Sequence, residues 1–316
     1  MDAGPSAGAG ANPMLGIGLK CISVVIFVAM QTAIKAAGDG IPAGEIVFFR
    51  SFFALIPVLI YLAWLGELKT SFRTEDPIGH LIRALVGVTS MMLGFFSLTK
   101  LPYPEWITIS YGAPLLTVVF AVILLKEVVR AYRWTAALIG LAGVVVVSYP
   151  NLTLFDEGME SAAALGVTAV LVSAVFSAVA MIQVRRLVNK EKTATIVVYF
   201  SLTCSLIALL SLAFGWVLPS PSQAALLIAA GLCGGVGQLL LTACYRYADT
   251  STIAPFEYTS LILAIAIGFF LFGETVTVTT LVGAAIVVSA GIFIIYREHQ
   301  LGIERRKARR VTTPSG

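Results

Sequence analysis

Apolar runs of membrane-spanning length alternate with short polar connections along almost the whole chain. They cover 14–37, 45–65, 78–99, 104–125, 134–149, 162–184, 195–217, 223–245, 253–272 and 276–296. A helix needs about 20 mostly apolar residues to cross the hydrocarbon core of a bilayer. The pattern therefore predicts an all-α, polytopic protein of ten spanning helices, with 134–149 the shortest. The connections, such as 39–42, 150–160 and 218–222, are brief and rich in turn formers or charge, so no separate soluble domain is expected. Residues 1–13 are rich in glycine, alanine and proline and read as a disordered lead-in; they lack the positive n-region of a cleavable signal peptide.

Composition agrees. Of 316 residues, 58% are hydrophobic and 12% charged, and the mean hydropathy is +0.93. A soluble domain carries roughly 25% charged residues, so most of this surface must face lipid. The placement of the charges adds orientation. Basic residues follow the even-numbered runs: Lys69 and Arg73; Lys126, Arg130 and Arg133; Arg185, Arg186, Lys190 and Lys192; then Arg297, Arg305, Arg306, Lys307, Arg309 and Arg310. The opposite connections offer Lys35 and Lys100, and one carries Asp156, Glu157 and Glu160. By the positive-inside rule both termini and the even-numbered loops are expected in the cytoplasm, with 298–316 a basic cytoplasmic tail.

The net charge of +4 is dispersed in short runs and makes no nucleic-acid footprint. Cys21, Cys204, Cys233 and Cys244 all fall in apolar runs, none in a C-x-x-C pair, and His80 and His299 form no H-E-x-x-H. Neither G-x-S-x-G nor a P-loop is present. The chain is therefore read as no enzyme, with no cofactor and no metal, its partners being a small-molecule substrate and the lipid bilayer. Its oligomeric state is left open.

The chain also repeats itself. Ile109-Ser-Tyr111-Gly-Ala-Pro114 through Leu124-Leu-Lys126-Glu127 aligns with Phe256-Glu-Tyr258-Thr-Ser260 through Leu271-Phe-Gly273-Glu274, and a glycine-bearing apolar run follows each, with Gly140 and Gly143 in one and Gly283 and Gly291 in the other. The implied halves are 14–150 and 151–297, five spans each in opposite orientation, the inverted-repeat plan of many secondary transporters. On these residues, with Tyr245-x-x-Ala248 and Ala254-Pro255, the chain resembles the ten-span EamA-type carriers of the drug/metabolite transporter superfamily. It departs from them in having Lys126-Glu127 where Gly-Glu is usual and in the displacement of Pro114 from Pro255. The resemblance implies a carrier of small organic metabolites in a bacterial inner membrane. Ile41-Pro-Ala-Gly44, Phe48-Phe-Arg50-Ser51 and the segment from Ser251 to Tyr258 are similar to the branch containing riboflavin transporters, and also to carriers of S-adenosylmethionine.

Ionisable and polar residues inside spans are costly and are functional candidates by default. Eight are singled out for substrate binding: Arg50, Arg83, Glu105, Tyr111, Gln238, Phe256, Glu257 and Tyr258. Arg83, Gly87, Ser90, Gly94 and Ser97 share one helical face, as do Gly231, Gly235, Gln238, Thr242 and Tyr245. Such faces also serve close helix packing. Glu127 and Glu274 sit at span ends and suit capping, Asp249 with Arg246 suits a surface pair, and Arg83 and Lys35 suit either the site or snorkelling to the nearer interface. Arg50 and Glu257 lie about 10–12 Å into their spans; Glu257 suits protonation, ligand binding, or a register-fixing pair with Arg50 or Lys35. Tyr111, Tyr258, Phe256 and Trp106 are expected to wall one aromatic cavity. Mixed signs and several aromatics suit a polar, planar, mostly neutral molecule. Riboflavin uptake is therefore the first expectation, with a cationic metabolite such as S-adenosylmethionine the alternative.

Overall fold

The computed structural model describes residues 13–38, 40–69, 71–125, 131–152, 162–188, 190–247 and 254–311. Among these it is helical throughout, in eleven α-helices: α1 Pro13–Ala37, α2 Ala43–Trp64, α3 Pro77–Lys100, α4 Tyr103–Ser110, α5 Gly112–Leu125, α6 Ala131–Leu152, α7 Ala162–Val188, α8 Thr193–Leu210, α9 Pro221–Tyr247, α10 Thr259–Phe272 and α11 Val278–Val311. Nine spans in the described residues are long and apolar enough to cross a membrane, one of them composed of α4 and α5 together; the tenth, Phe256–Phe272, is shorter. Glu127, Asp249 and the acidic 156–160 segment lie outside the described residues, as do 1–12 and 312–316.

Four spans differ from the hydropathy reading. The fourth is two helices, α4 and α5, with Tyr111 between them. The ninth opens as a 3-10 turn, Ala254–Tyr258, before α10 begins. The seventh ends in a 3-10 turn, Ser211–Phe214, because Gly215 turns the chain at φ 87, a conformation that costs glycine nothing. The last helix runs past its span to Val311. Its basic stretch, Glu304-Arg-Arg-Lys-Ala-Arg-Arg310, consists of good helix formers with no breaker, so the expected tail is helical as far as it is described.

Exchange of the two halves leaves the packing almost unchanged. α1 lies along α9 as α7 lies along α3, while α2 packs on α8, α4 on α10 and α6 on α11. Those last three pairs join equivalent helices and mark the pseudo-two-fold axis. Five is odd, so the second copy starts from the opposite side of the membrane and the repeat is inverted. Small residues permit the closest approaches. At Gly235 an added methyl would overlap the Ala54 carbonyl and Pro57 ring of α2, and at Gly283 it would overlap Val147 of α6. In lipid this kind of contact does what hydrophobic burial does in water. The outward side chains are apolar instead: Ile60, Ile123, Leu206, Ile262 and Phe270 are all exposed.

Candidate functional site

The repeat places a helix break at the same position twice. In the first half α4 stops after Ser110, with Tyr111 as its αR cap. Thr108 Oγ1 and Ser110 Oγ donate to the carbonyls of Pro104 and Trp106, a local bonding that bends helices. In the second half Thr259 Oγ1 and Ser260 Oγ donate to the carbonyls of Phe256 and Glu257 at the end of the 3-10 turn. The two breaks meet. The rings of Tyr111 and Tyr258 pack edge to face with centroids 5.1 Å apart, and the Tyr111 hydroxyl lies 2.5 Å from Ser260 Oγ and 3.3 Å from the Glu257 carbonyl oxygen. Gly291 of α11 makes room, since any side chain there would occupy the space of the Tyr258 hydroxyl. Broken helices facing one another near the centre are where inverted-repeat carriers hold substrate.

Beside this junction Lys20 Nζ of α1 donates to Glu257 Oε2 at 2.6 Å. Lys20 is 3% exposed at its side chain and Glu257 53%, so the ammonium is locked in while much of the carboxylate stays open. Neither Arg50 nor Lys35 pairs with Glu257: the 3-10 turn packs against α1, where Lys20 takes Glu257 and Lys35 takes Glu274. Lys20 was not among the sequence candidates, although a lysine seven residues into an apolar run is itself a signal. Lys35 does not snorkel. Its Nζ lies 2.9 Å from Glu274 Oε1 and also donates to the carbonyls of Leu98 and Leu101. Glu274 Oε2 accepts from the Tyr103 amide at the start of α4, and Gly273, left-handed at φ 65, turns the end of α10 so that the Glu274 amide reaches the Gly268 carbonyl.

A second charged centre lies where α2 meets α8. Arg50 is 8% exposed. Its guanidinium carbon stands 6.0 Å from the Phe200 ring centroid, and that of Arg83 stands 4.0 Å from the same centroid. Arg83 does not snorkel either: its head reaches along α3 to Gly87, where a methyl would overlap Nη1. That is ten residues past Pro77, about 15 Å along the helix, near mid-membrane. Arg50 and Phe200 are each the eighth residue of their helix, and Arg50-Ser51 aligns with Phe200-Ser201 at an offset of 150. The arginine therefore meets its own counterpart across the axis. Arg50 Nε, Arg83 Nε and Arg83 Nη1 are buried without a hydrogen-bond partner.

The remaining candidates are distributed. Trp106 does not join the tyrosines: its Nε1 donates to the Gly94 carbonyl and Ser97 Oγ. It lines a cavity of about 180 Å³ with Ser90, Ser110, Ser173 and Ser177 between α3, α4 and α7. At the matching place in the other half, Ser23 stands for Ser173 and Glu257 for Ser110, and there the Lys20–Glu257 pair is found. The single aromatic cavity expected from the sequence is thus two regions of different polarity. Glu105 is buried in the first turn of α4, where a carboxylate suits the helix dipole. Gln238 is half-buried on α9, one turn beyond Gly234, where a methyl would come within 3.2 Å of Arg50 Nε. Phe256 is half-buried in the 3-10 turn.

At one face of the bundle the halves are latched. Glu191, between α7 and α8, accepts through Oε1 from Thr74 Oγ1, the Glu75 amide and the Asp76 amide at 2.5, 2.7 and 3.1 Å, with His80 Nε2 at 3.5 Å. Lys190 adds a 3.3 Å pair to Asp76, and the His80 ring stacks on Tyr199 at 4.7 Å. Burial opposes ionisation of Glu191, but the three donors outweigh it and hold the carboxyl below its ordinary value. The Gly79 amide and Lys190 do the same for Asp76. A depressed carboxyl contributes fully above its ordinary value and loses its contribution as pH falls from there through the lower folded value. We therefore expect the melting temperature of the detergent-purified protein to hold down to about pH 5 and to drop as the pH falls further. Glu191→Gln should melt lower at neutral pH and decline less on acidification; parallel declines would remove the carboxylate from the account.

Two inverted five-span halves that meet at paired helix breaks, with buried charges of both signs, define the class of polytopic membrane carriers. Comparison with known proteins narrows it. The chain belongs to the EamA-like transporter family, whose model matches residues 14–149 and again 164–297; it is a small-molecule transporter of the drug/metabolite superfamily. It is 28% identical over 284 residues to the S-adenosylmethionine uptake transporter of Rickettsia bellii, covering 90% of this chain and 94% of that one. It is 27% identical to the pseudopaline exporter CntI of Pseudomonas aeruginosa, covering 88% and 94%, and 29% identical to the riboflavin transporter of Vibrio cholerae, covering 90% and 92%. A solved crystal structure superposes with TM-score 0.63 at 19% identity over 88% of this chain and 96% of the other, a likeness of fold.

Proposed function

We propose that this protein takes up S-adenosylmethionine or a closely similar cationic, amino-acid-type metabolite across a bacterial inner membrane, as a carrier with both termini in the cytoplasm. The observation that carries the reading is Glu257: an intramembrane carboxylate, half open, beside the rings of Tyr111 and Tyr258. A sulfonium or ammonium is attracted both to a carboxylate and to aromatic faces. Likeness to S-adenosylmethionine carriers over nine-tenths of the chain supports the same choice. Riboflavin, the first expectation from the sequence, recedes because a neutral isoalloxazine carries no positive charge to answer a half-exposed intramembrane carboxylate.

The test is uptake by purified protein in liposomes. Labelled S-adenosylmethionine should accumulate and be displaced by the unlabelled compound, with riboflavin a poor competitor. Transport of riboflavin without transport of S-adenosylmethionine would reverse the assignment.

A further inference from the structure

Arg50 and Arg83 present an unanswered electrostatic demand. Two guanidinium groups, from α2 and α3, lie over the ring of Phe200 inside the bundle. Three of their nitrogens are buried with no hydrogen-bond partner, and among the described residues no carboxylate lies within ion-pair distance of either group. Every other ion pair described inside the bundle is matched one to one, Lys20 with Glu257 and Lys35 with Glu274. Ring contact offsets only part of the desolvation of a buried cation, and a buried charge without a counter-charge is among the costliest features a membrane protein can carry. Two like charges side by side increase that cost. Glycine lets the two heads pack inside the bundle: methyl groups at Gly87 and Gly234 would crowd Arg83 Nη1 and Arg50 Nε.

We propose that Arg50 and Arg83 together form a carboxylate-binding site, and that it receives the carboxylate of the transported solute. Each guanidinium offers a planar fork of donors that matches a carboxylate, and the free Nε and Nη1 atoms are donors of that fork. The inference rests on the proposed function only in taking the solute to be amino-acid-like.

The test uses purified protein in nanodiscs and compound pairs that differ only in the carboxylate: S-adenosylmethionine with its decarboxylated analogue, and a panel of α-amino acids with their methyl esters. Within any pair that binds, the acid should bind at least about tenfold more tightly. Arg50→Gln and Arg83→Gln should each weaken the acid by roughly 10- to 100-fold, the scale of a lost charge-assisted hydrogen bond, and leave the ester little changed. Without ligand, Arg50→Met and Arg83→Met should melt at or above the wild-type temperature, because each removes an unpaired buried charge. Equal binding within the pairs overturns the inference and leaves the transport assignment standing. S-adenosylmethionine failing while another acid binds and outcompetes its ester overturns the substrate and leaves the arginine site standing. A lower melting temperature in both methionine variants with acid affinity intact assigns the arginines to structure and overturns the site, as does a panel in which no acid binds or in which only inorganic phosphate does.

Discussion

Glu257→Gln cuts uptake to about 1% of wild type or less and destabilises the protein at the same time. Two effects combine. The substitution removes the carboxylate beside Tyr111 and Tyr258, and it leaves the Lys20 ammonium, 3% exposed, without its partner. Breaking a buried pair by removing one member costs about 3–5 kcal/mol; half of the Glu257 side chain is exposed, so the lower end of that range is expected. The second effect is separable. Lys20→Met with Glu257→Gln removes the stranded charge and should recover most of the melting temperature in detergent, because an apolar replacement of a buried pair is often neutral. Uptake should stay lost. If the double variant regains transport, the pair fixes only the position of α1 against the ninth span.

Gly291→Ala is the smallest substitution with a large expected effect. A methyl group there would overlap the hydroxyl and the outer ring atoms of Tyr258. The Tyr258 ring must leave its edge-to-face position on Tyr111, and the junction between the two broken helices goes with it. Overpacking of this kind costs about 1–3 kcal/mol, and displacement of a wall of the site by an ångström or more should lower uptake by at least about a hundredfold. Gly18→Ala is the control: it stands on α1 with open space around it and should be neutral or slightly stabilising, as alanine is in helices. Tyr258→Ala added to Gly291→Ala should restore stability but not transport. A Gly291→Ala variant indistinguishable from Gly18→Ala in melting and uptake would dispose of the packing argument.

The fold was readable from sequence because lipid imposes a blunt rule: a span is long, apolar and uninterrupted, and the ten runs obey it to within a few residues. The same rule hid the centre. Tyr111-Gly112-Ala113 is apolar enough to pass as continuous helix, and hydropathy does not register either the break or the carbonyl bonds of Thr108 and Ser110 just before it. Tyr111 and Tyr258 were legible through the repeat, since equivalent positions beside a two-fold axis are the ones able to meet. Partners were not. Glu257 found Lys20 rather than Arg50 or Lys35, because pairing depends on which helices lie adjacent, and α1 reaches both ends of the ninth span. Arg83 looked free to snorkel from a position six residues into α3; only the Phe200 ring, from the other half of the chain, draws its head inward.

Lys20 and Lys35 stand fifteen residues apart on α1, about 22 Å along its axis, and their partners Glu257 and Glu274 bracket the ninth span. The pairs act as two rungs of a ladder, fixing both the axial register and the rotation of α1 against that span. Since α1 comes from the first half of the chain and the ninth span from the second, these pairs tie the two sequence halves together. A rocking motion that opens the centre to one side and then the other is therefore expected to carry α1 and the ninth span together.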